Sequence, residues 1–158
     1  MAAAAAGERA LDLYAGAGLF SAYLADAVGP DGSVLSVEGS AAASAHASTN
    51  LAAYAGVQVV AGDVATVLGE LAAPADVVVL DPPRAGAKRE VVAEVLRRSP
   101  RAVALVACDP AALARDVALF REAGWDLAAL RGFDLFPMTH HVECVALLSP
   151  VEPGVPRS

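Results

Sequence analysis

Short apolar runs alternate with longer alanine- and leucine-rich segments along the chain as far as Gly124. Runs rich in β-branched residues between turn-forming residues are typical of strands, and longer segments with apolar spacings of three and four are typical of helices. The pattern predicts strands at Ala10–Tyr14, Ser33–Glu38, Val57–Ala61, Ala75–Leu80 and Ala102–Ala107. It predicts helices at Leu19–Val28, from about Ser40 to Ala55, shortly after Asp63, from near Lys88, and from Pro110 to about Ala123. Such alternation is typical of βαβ units in a parallel sheet.

The end of the chain follows a different pattern. Trp125–Phe133 and His141–Ser149 both resemble strands, and the segment between them is too short for a crossover helix. We therefore expect these two strands to pair antiparallel. The predicted fold class is α/β: a Rossmann-like, doubly wound sheet that is mostly parallel, with a C-terminal antiparallel hairpin. This layout resembles the class I methyltransferase fold.

Composition narrows the class of protein further. The 158 residues fit a single domain. The sequence has no uncharged apolar run of about 18 residues, and its start lacks the positive region of a signal peptide. The two cysteines lie in unlike contexts, which argues against a disulfide framework. We expect a cytoplasmic monomer with no membrane partner.

The net charge argues against strong nucleic-acid binding by this chain alone. The formal net charge is −7, and the sequence shows no basic run longer than a pair such as Arg97 and Arg98. Proteins that hold nucleic acid through its phosphates carry a basic face. We therefore expect the isolated chain to bind RNA or DNA weakly.

A glycine loop follows the first predicted strand. Gly16 and Gly18 allow the backbone to approach a ligand at the start of the next helix. As a dinucleotide fingerprint the loop is incomplete, because Ser21 stands at the third glycine position. The alternative is a tight turn that needs glycine for its own geometry.

Carboxylates follow the second and third predicted strands. Glu38 lies where an acidic residue can accept hydrogen bonds from ribose hydroxyls, or it is a solvated carboxylate. Asp63 can accept a hydrogen bond from an adenine amino group, or it caps the helix that follows it. The sequence leaves both alternatives open.

The sequence DPPR gives a more specific signal. Asp81 directly follows the apolar run of the fourth predicted strand, and Pro82 and Pro83 stiffen the loop after it. Such stiffness holds a carboxylate at the carboxyl edge of the sheet, where open α/β folds bind ligands. Arg84 pairs with a substrate phosphate or with a nearby carboxylate.

Cys108 ends the fifth predicted strand and directly precedes a helix. Asp109 is a good N-cap and Pro110 a good first helical residue, so the thiol lies just outside a helix N-terminus. The helix dipole favours a thiolate there, whereas the charge of Asp109 opposes it. Because the fourth and fifth strands are predicted neighbours, Asp81 and Cys108 should face one pocket. Cys144 is better interpreted as a buried apolar residue.

Glu143 interrupts an apolar run, between Val142 and Cys144. A carboxylate in that position either points into a polar pocket, where it can act as a base, or discourages edge-to-edge aggregation of an edge strand. His140 and His141 are adjacent and would face opposite sides of a strand, so we expect hydrogen bonding and no metal site.

Four motifs together resemble the catalytic domain of the RNA 5-methyluridine methyltransferases, which act on tRNA or large-subunit rRNA: DLYAGAGLFS, VVVLDPPRAG, VACDPAALARD and LFPMTHHVE. The resemblance covers roughly residues 8–149. It implies S-adenosylmethionine as the cofactor and RNA as the partner, with Cys108 adding to C6 of uracil and Glu143 removing the C5 proton. It implies that Tyr14, Glu38, Asp63 and Asp81 contact the cofactor. From their places in the sequence we also expect Gly16 and Gly18 to contact the cofactor and Arg84 to contact the substrate.

The chain departs from that family at several points. Asp109 stands where the family usually has asparagine, and the family's upstream cofactor segment and N-terminal RNA-binding barrel are not in this sequence. We expect residues 1–150 to form the S-adenosylmethionine-dependent domain and 151–158 a mobile tail. The alternative function is a truncated, catalytically impaired cofactor-binding fragment that needs its missing N-terminal region or a partner.

Two other enzyme classes explain the motifs less well. A nicotinamide-dependent oxidoreductase would need a third glycine where Ser21 stands and an evident acid for hydride transfer. An amino-group methyltransferase would use Asp81 but would leave Cys108 without a role.

Overall fold

The computed structural model describes residues 4–135, 138 and 142–151. In that part of the chain the strands are β1 (Arg9–Leu13), β2 (Ser33–Glu38), β3 (Val57–Ala61), β4 (Val77–Leu80), β5 (Ala102–Ala107), β6 (Trp125–Phe133) and β7 (Glu143–Pro150). The helices are α1 (Leu19–Val28), α2 (Ala41–Asn50), α3 (Val64–Glu70), α4 (Lys88–Arg97) and α5 (Pro110–Glu122). The predicted elements are confirmed in kind and order, and most of their bounds agree to within two residues.

One predicted helix is too long. The helix expected from Ser40 to Ala55 ends at Asn50, and Leu51 is its C-cap. A turn follows, in which the Tyr54 N–H donates to the Leu51 carbonyl oxygen at 2.9 Å. The alanine-rich sequence does not mark this end, because alanine favours helix on both sides of it.

The strands form one sheet in the order β3-β2-β1-β4-β5-β7-β6. β1 to β5 pair in parallel, and β7 pairs antiparallel with both β5 and β6. The predicted fold class and the antiparallel hairpin are therefore confirmed. The hairpin folds back so that its second strand, β7, lies inside the sheet and β6 forms the edge.

Alternation along the strands divides the sheet into two unlike faces. The larger core lies on the face covered by α3, α4 and α5, and includes Leu13, Leu80, Leu105, Phe120 and Leu148, all fully buried. A smaller core lies on the opposite face, against α1. Because side chains alternate along a strand, each residue next to a core position faces the side of α1.

A group of hydrogen-bonded polar side chains lies in the interior below the glycine loop. The Ser21 hydroxyl lies 2.6 Å from Oδ2 of Asp12 and 2.9 Å from the Ser36 hydroxyl, and all three residues are fully buried. These contacts join β1, α1 and β2 directly beneath the loop that connects the first two elements. The described part of the chain has no helix with both the length and the apolar character required to cross a membrane.

Candidate active site

A crevice of about 950 Å³ opens at the carboxyl edge of β4 and β5. Asp81, Cys108 and Glu143 line it, together with apolar side chains of the sheet and of α1. The expectation that Asp81 and Cys108 share a pocket is confirmed. Glu143 joins them from β7.

Strand register explains why these three residues meet. Leu80 pairs with Leu105, and Ala107 pairs with Cys144. The floor of the crevice is formed by residues 79, 104, 106 and 145. Each of them is two or four positions along the chain from Asp81, Cys108 or Glu143. All of them therefore face the side away from the larger core. Continuing the antiparallel pairing by one position places Cys108 opposite Glu143, at the spacing of a cross-strand pair.

The position of β7 excludes one interpretation of Glu143. An edge-strand charge that prevents aggregation requires an edge strand, but β7 lies between β5 and β6. Glu143 is half-buried and faces the crevice. Its place in an apolar run is therefore explained by the polar pocket that it lines.

Cys108 is a half-buried free thiol directly before α5. Asp109 is the N-cap, and its Oδ1 accepts the Ala112 N–H at 2.6 Å, with Pro110 in the first turn. The predicted cap and first helical residue are confirmed. The carboxylate of Asp109 is thus engaged by the helix that it begins, and the thiol lies at the positive end of that helix.

Asp81 lies at the mouth of the crevice, where its residue surface is exposed. Its backbone N–H donates to the Leu13 carbonyl oxygen at 3.1 Å, which fixes the start of the DPPR loop to β1. Desolvation by the surrounding protein raises the pKa of the Asp81 carboxyl, and the nearby charge of Glu143 raises it further. A crevice lined by two carboxylates favours a positively charged ligand.

The glycine loop and Glu38 form a second part of the site. The Gly16 N–H donates to Oε2 of Glu38 at 2.9 Å, and the Ser40 N–H donates to Oε1 at 2.7 Å. Gly16 has φ +56, and a Cβ there would meet no atom within 4 Å, so the loop is open at this residue. A carboxylate offers about four acceptor positions, so Glu38 retains capacity for two further donors.

At position 18, glycine is required by backbone conformation and by packing. Its φ is +90, and a Cβ there would lie 2.7 Å from Cδ1 of Leu51 at the end of α2. Its N–H donates to the Ala15 carbonyl oxygen at 2.9 Å. The tight-turn alternative therefore describes Gly18 well, and a direct cofactor contact at this residue stays a prediction.

Asp63 is a helix cap. Its Oδ1 accepts the Thr66 N–H at 2.9 Å and the Thr66 hydroxyl at 3.0 Å, and these bonds lower the pKa of the Asp63 carboxyl. Tyr14 lies half-buried with φ +64, and burial, together with the charge of Asp63, raises the pKa of its phenol to about 12. Roles of both residues in holding adenine or the rest of a cofactor stay predictions.

Arg84 is exposed, and within the described residues no carboxylate forms an ion pair with it. The local-pairing alternative is thus not seen there, and a contact to substrate stays a prediction. His140 and His141 lie outside the described residues. No group of potential metal ligands occurs among residues 4–135, 138 and 142–151.

Sequence reasoning missed two buried carboxylates near the site. Asp12 lies beneath the glycine loop, and Asp116 on α5 contacts the end of the DPPR loop. The sequence pattern could have indicated Asp12, because this residue interrupts an apolar strand as Glu143 does. The pattern could not have indicated Asp116, because a single aspartate among polar helix residues is typical of a solvated helix face.

The strand order and the antiparallel β7 define the class I methyltransferase fold. The family model described as Methyltransferase small domain matches residues 1–105, and the one described as tRNA (Uracil-5-)-methyltransferase matches residues 70–151, just over half of the chain. The chain belongs to the tRNA (uracil-5-)-methyltransferase family.

Individual relatives agree with this assignment. An RNA methyltransferase of Streptomyces avermitilis is 50% identical over 150 residues, which is 94% of this chain and 35% of that protein. The tRNA (uracil-54, C5)-methyltransferase of Pyrococcus abyssi, solved with S-adenosyl-L-homocysteine, superposes with a TM-score of 0.76 at 30% identity, covering 92% of this chain and 35% of that one. Fibrillarin of Aeropyrum pernix has a TM-score of 0.74 at 17% identity, covering 91% of this chain and 68% of that one, and shows the fold alone. The chain spans about a third of the length of the curated relatives it matches.

Proposed function

We propose that this chain carries the catalytic centre of an S-adenosylmethionine-dependent RNA methyltransferase that methylates C5 of a uridine in tRNA or large-subunit rRNA. The observation that carries the proposal is the crevice shared by Asp81, Cys108 and Glu143. A nucleophile, a base and a ligand-side carboxylate in one crevice match the needs of that reaction. Family membership and the P. abyssi neighbour support the same chemistry.

The residues present fit the proposed cofactor. Glu38 has acceptor capacity left for two ribose hydroxyls, and the open backbone at Gly16 leaves room beside it. The Asp81 and Glu143 carboxylates make the crevice favourable for a sulfonium cation. When bound, S-adenosylmethionine supplies an electrophilic methyl group. In this proposal Glu38 holds the ribose, and Asp63 and Tyr14 border the adenine.

Cys108 performs the first chemical step. Its thiolate, at the N-terminus of α5, bonds to C6 of uracil, and the C5–C6 π electrons move toward C5 and O4. C5, a weak nucleophile in free uridine, then carries enough electron density to accept a methyl cation. The pyrimidine must leave its stack for the thiol to reach C6, so the substrate is an unpaired or flipped uridine.

Glu143 completes the cycle. After C5 carries the methyl group, the Glu143 carboxylate accepts the C5 proton, and the electrons of that C–H bond form the C5–C6 double bond again. The C6–S bond breaks, and Cys108 leaves as a thiolate. General-base help of this kind contributes roughly 10²–10⁴-fold in rate.

A second candidate is a cofactor-binding module that transfers no methyl group by itself. The specific observations in its favour are that the chain spans a third of its curated relatives and that the crevice floor and α1 expose apolar side chains, including Tyr23 at 69% exposure. Calorimetry of cofactor binding, together with an assay of methyl transfer to RNA, separates the two candidates. Cofactor binding without methyl transfer to any RNA would favour the module.

The direct test uses RNA in which uridine is replaced by 5-fluorouridine. Because C5 then carries fluorine and no proton, Glu143 has nothing to remove, and the adduct on Cys108 accumulates. We expect a protein–RNA band on a denaturing gel with the unchanged chain and with Cys144→Ala, and none with Cys108→Ala. A band that persists in Cys108→Ala would contradict the nucleophile assignment.

A further inference from the structure

The two ends of the DPPR loop (residues 81–87) are held in different ways. At its start, the backbone pairing of Asp81 with Leu13 continues the contact between β1 and β4. At its end, Ala87 is the N-cap of α4 and offers no side-chain hydrogen bond. The first N–H groups of a helix have no partner within it. This helix therefore needs an acceptor from another part of the molecule.

Asp116 of α5 supplies that acceptor. Its Oδ2 accepts the Ala87 N–H at 2.7 Å, and its Oδ1 accepts the Lys88 N–H at 3.2 Å. The Asp116 residue is 3% exposed, so these charge-assisted bonds are shielded from water. A buried carboxylate that lost these donors would be left without compensation, which makes the contact hard to break.

Shape also holds the loop against Asp116. Gly86 has φ +83, and a Cβ there would lie 2.6 Å from Oδ2 of Asp116. Lys88 has φ +70, a conformation that residues other than glycine rarely adopt. Such backbone persists only where surrounding contacts enforce it. At this position the enforcing contact described is the Asp116 carboxylate.

The same helix begins directly after Cys108. Asp109 caps α5 and Asp116 lies about two turns further on, so the nucleophile and the loop anchor belong to one rigid strand–helix unit. We propose that Asp116 is a positioning residue for methyl transfer: it fixes the loop bearing Asp81 and Arg84 against the helix that follows Cys108. The proposal rests on the proposed function, because it sets the place of Asp81 beside the cofactor.

The test compares Asp116→Asn with Glu94→Gln in this chain. Glu94 is also a buried helical carboxylate, but it pairs with Arg97 and Arg98 at the far end of α4. Three quantities are measured for each variant: amide hydrogen exchange of residues 84–88, the melting temperature, and the affinity for S-adenosylmethionine by calorimetry. Gly86→Ala provides a second variant, which disturbs the same contact from the loop side.

We expect Asp116→Asn and Gly86→Ala to accelerate exchange at Ala87 and Lys88 and to weaken cofactor affinity at least about tenfold, since a misplacement of about 1 Å can cost roughly 10²-fold. Glu94→Gln should lower the melting temperature and leave the affinity unchanged. An equal loss of affinity in Glu94→Gln, or full affinity with a released loop, would overturn the positioning role. An unchanged chain that binds no cofactor would refute the proposed function, while the exchange data would still decide whether Asp116 holds the loop.

Discussion

Asp12 places a carboxylate in the interior directly beneath the glycine loop. Burial raises its pKa from 3.8 to about 6, and the charges of Asp81 and Glu38 add to the effect, although the Ser21 hydroxyl and N–H oppose it. Within the described residues its Oδ1 has no hydrogen-bond partner. At the scale of single residues, the molecule thus holds an acid whose charged form is disfavoured by the fold.

The sign of its contribution to stability follows from that shift. A carboxyl whose pKa is raised in the folded state stabilises the fold below pH 3.8, and this contribution is lost as the pH rises through about 6. A shift of about two pKa units corresponds to roughly 3 kcal/mol. Between pH 4 and 7 we expect the free energy of unfolding of the unchanged chain to fall relative to that of Asp12→Asn by an amount of this order.

Urea unfolding at each pH measures the difference between the two proteins. Asp31→Asn is the control, because Asp31 is exposed in the turn before β2. This variant removes one surface carboxylate and leaves the buried Asp12 in place. A constant difference between Asp12→Asn and the unchanged chain would show that Asp12 titrates normally.

The N-cap of the first helix is Gly18, where a larger residue would force the buried Leu51 side chain at the end of α2 to move. Gly18 approaches Leu51 in a left-handed conformation, whereas Gly16 adopts a similar conformation in open space. The pair therefore separates two uses of glycine within one loop. One glycine brings two helices together, and the other keeps the loop open beside Glu38.

Replacing each glycine by alanine should separate stability from binding. At Gly16 we expect alanine to lower the free energy of unfolding only by the strain of the left-handed conformation, about 1–2 kcal/mol. We also expect it to reduce the cofactor affinity by about tenfold. At Gly18 overpacking against Leu51 adds about 1–3 kcal/mol to that strain. Chemical denaturation and calorimetry measure the two effects. Equal stability losses in the two variants would contradict the assignment of Gly18 to helix packing.

At this scale the sequence predicted the elements and the meeting of Asp81 and Cys108 in one crevice, for identifiable reasons. The unbroken apolar runs of β4 and β5 mark buried strands, so the polar residues Asp81 and Cys108 that follow them stand out. The short connection before β7 excludes a crossover helix and so fixes the antiparallel pairing. Which of the two hairpin strands contacts β5 was not predictable, because the short connection determines only that the two strands pair with each other. The contact made by Asp116 was not predicted, because only tertiary packing distinguishes this residue from a solvated one.

The whole molecule carries a net charge of −7, and its crevice contains two carboxylates that face the substrate side. Binding of RNA releases about 0.7–0.9 counterions for each phosphate that a cation neutralises. We therefore expect this chain to bind RNA with a shallow dependence on salt. The logarithm of the binding constant should fall with the logarithm of salt concentration by a slope of magnitude less than about 3.

Fluorescence anisotropy with a labelled tRNA between about 50 and 200 mM salt measures this slope. Single-stranded and double-stranded DNA of equal length serve as controls for binding without specificity. A steep slope, like that of proteins with six or more phosphate contacts, would reveal a basic surface that the charge distribution does not indicate.

The position of β7 has a consequence for the order in which the site is assembled. β7 is the last strand in the described chain, and it lies between β5 and β6 in the sheet. During synthesis Cys108 therefore emerges well before Glu143. Under the proposed function, a growing chain already contains the group that attacks the pyrimidine but not yet the group that allows its release. In that mechanism the reaction cycle can be completed only once the sheet itself is complete.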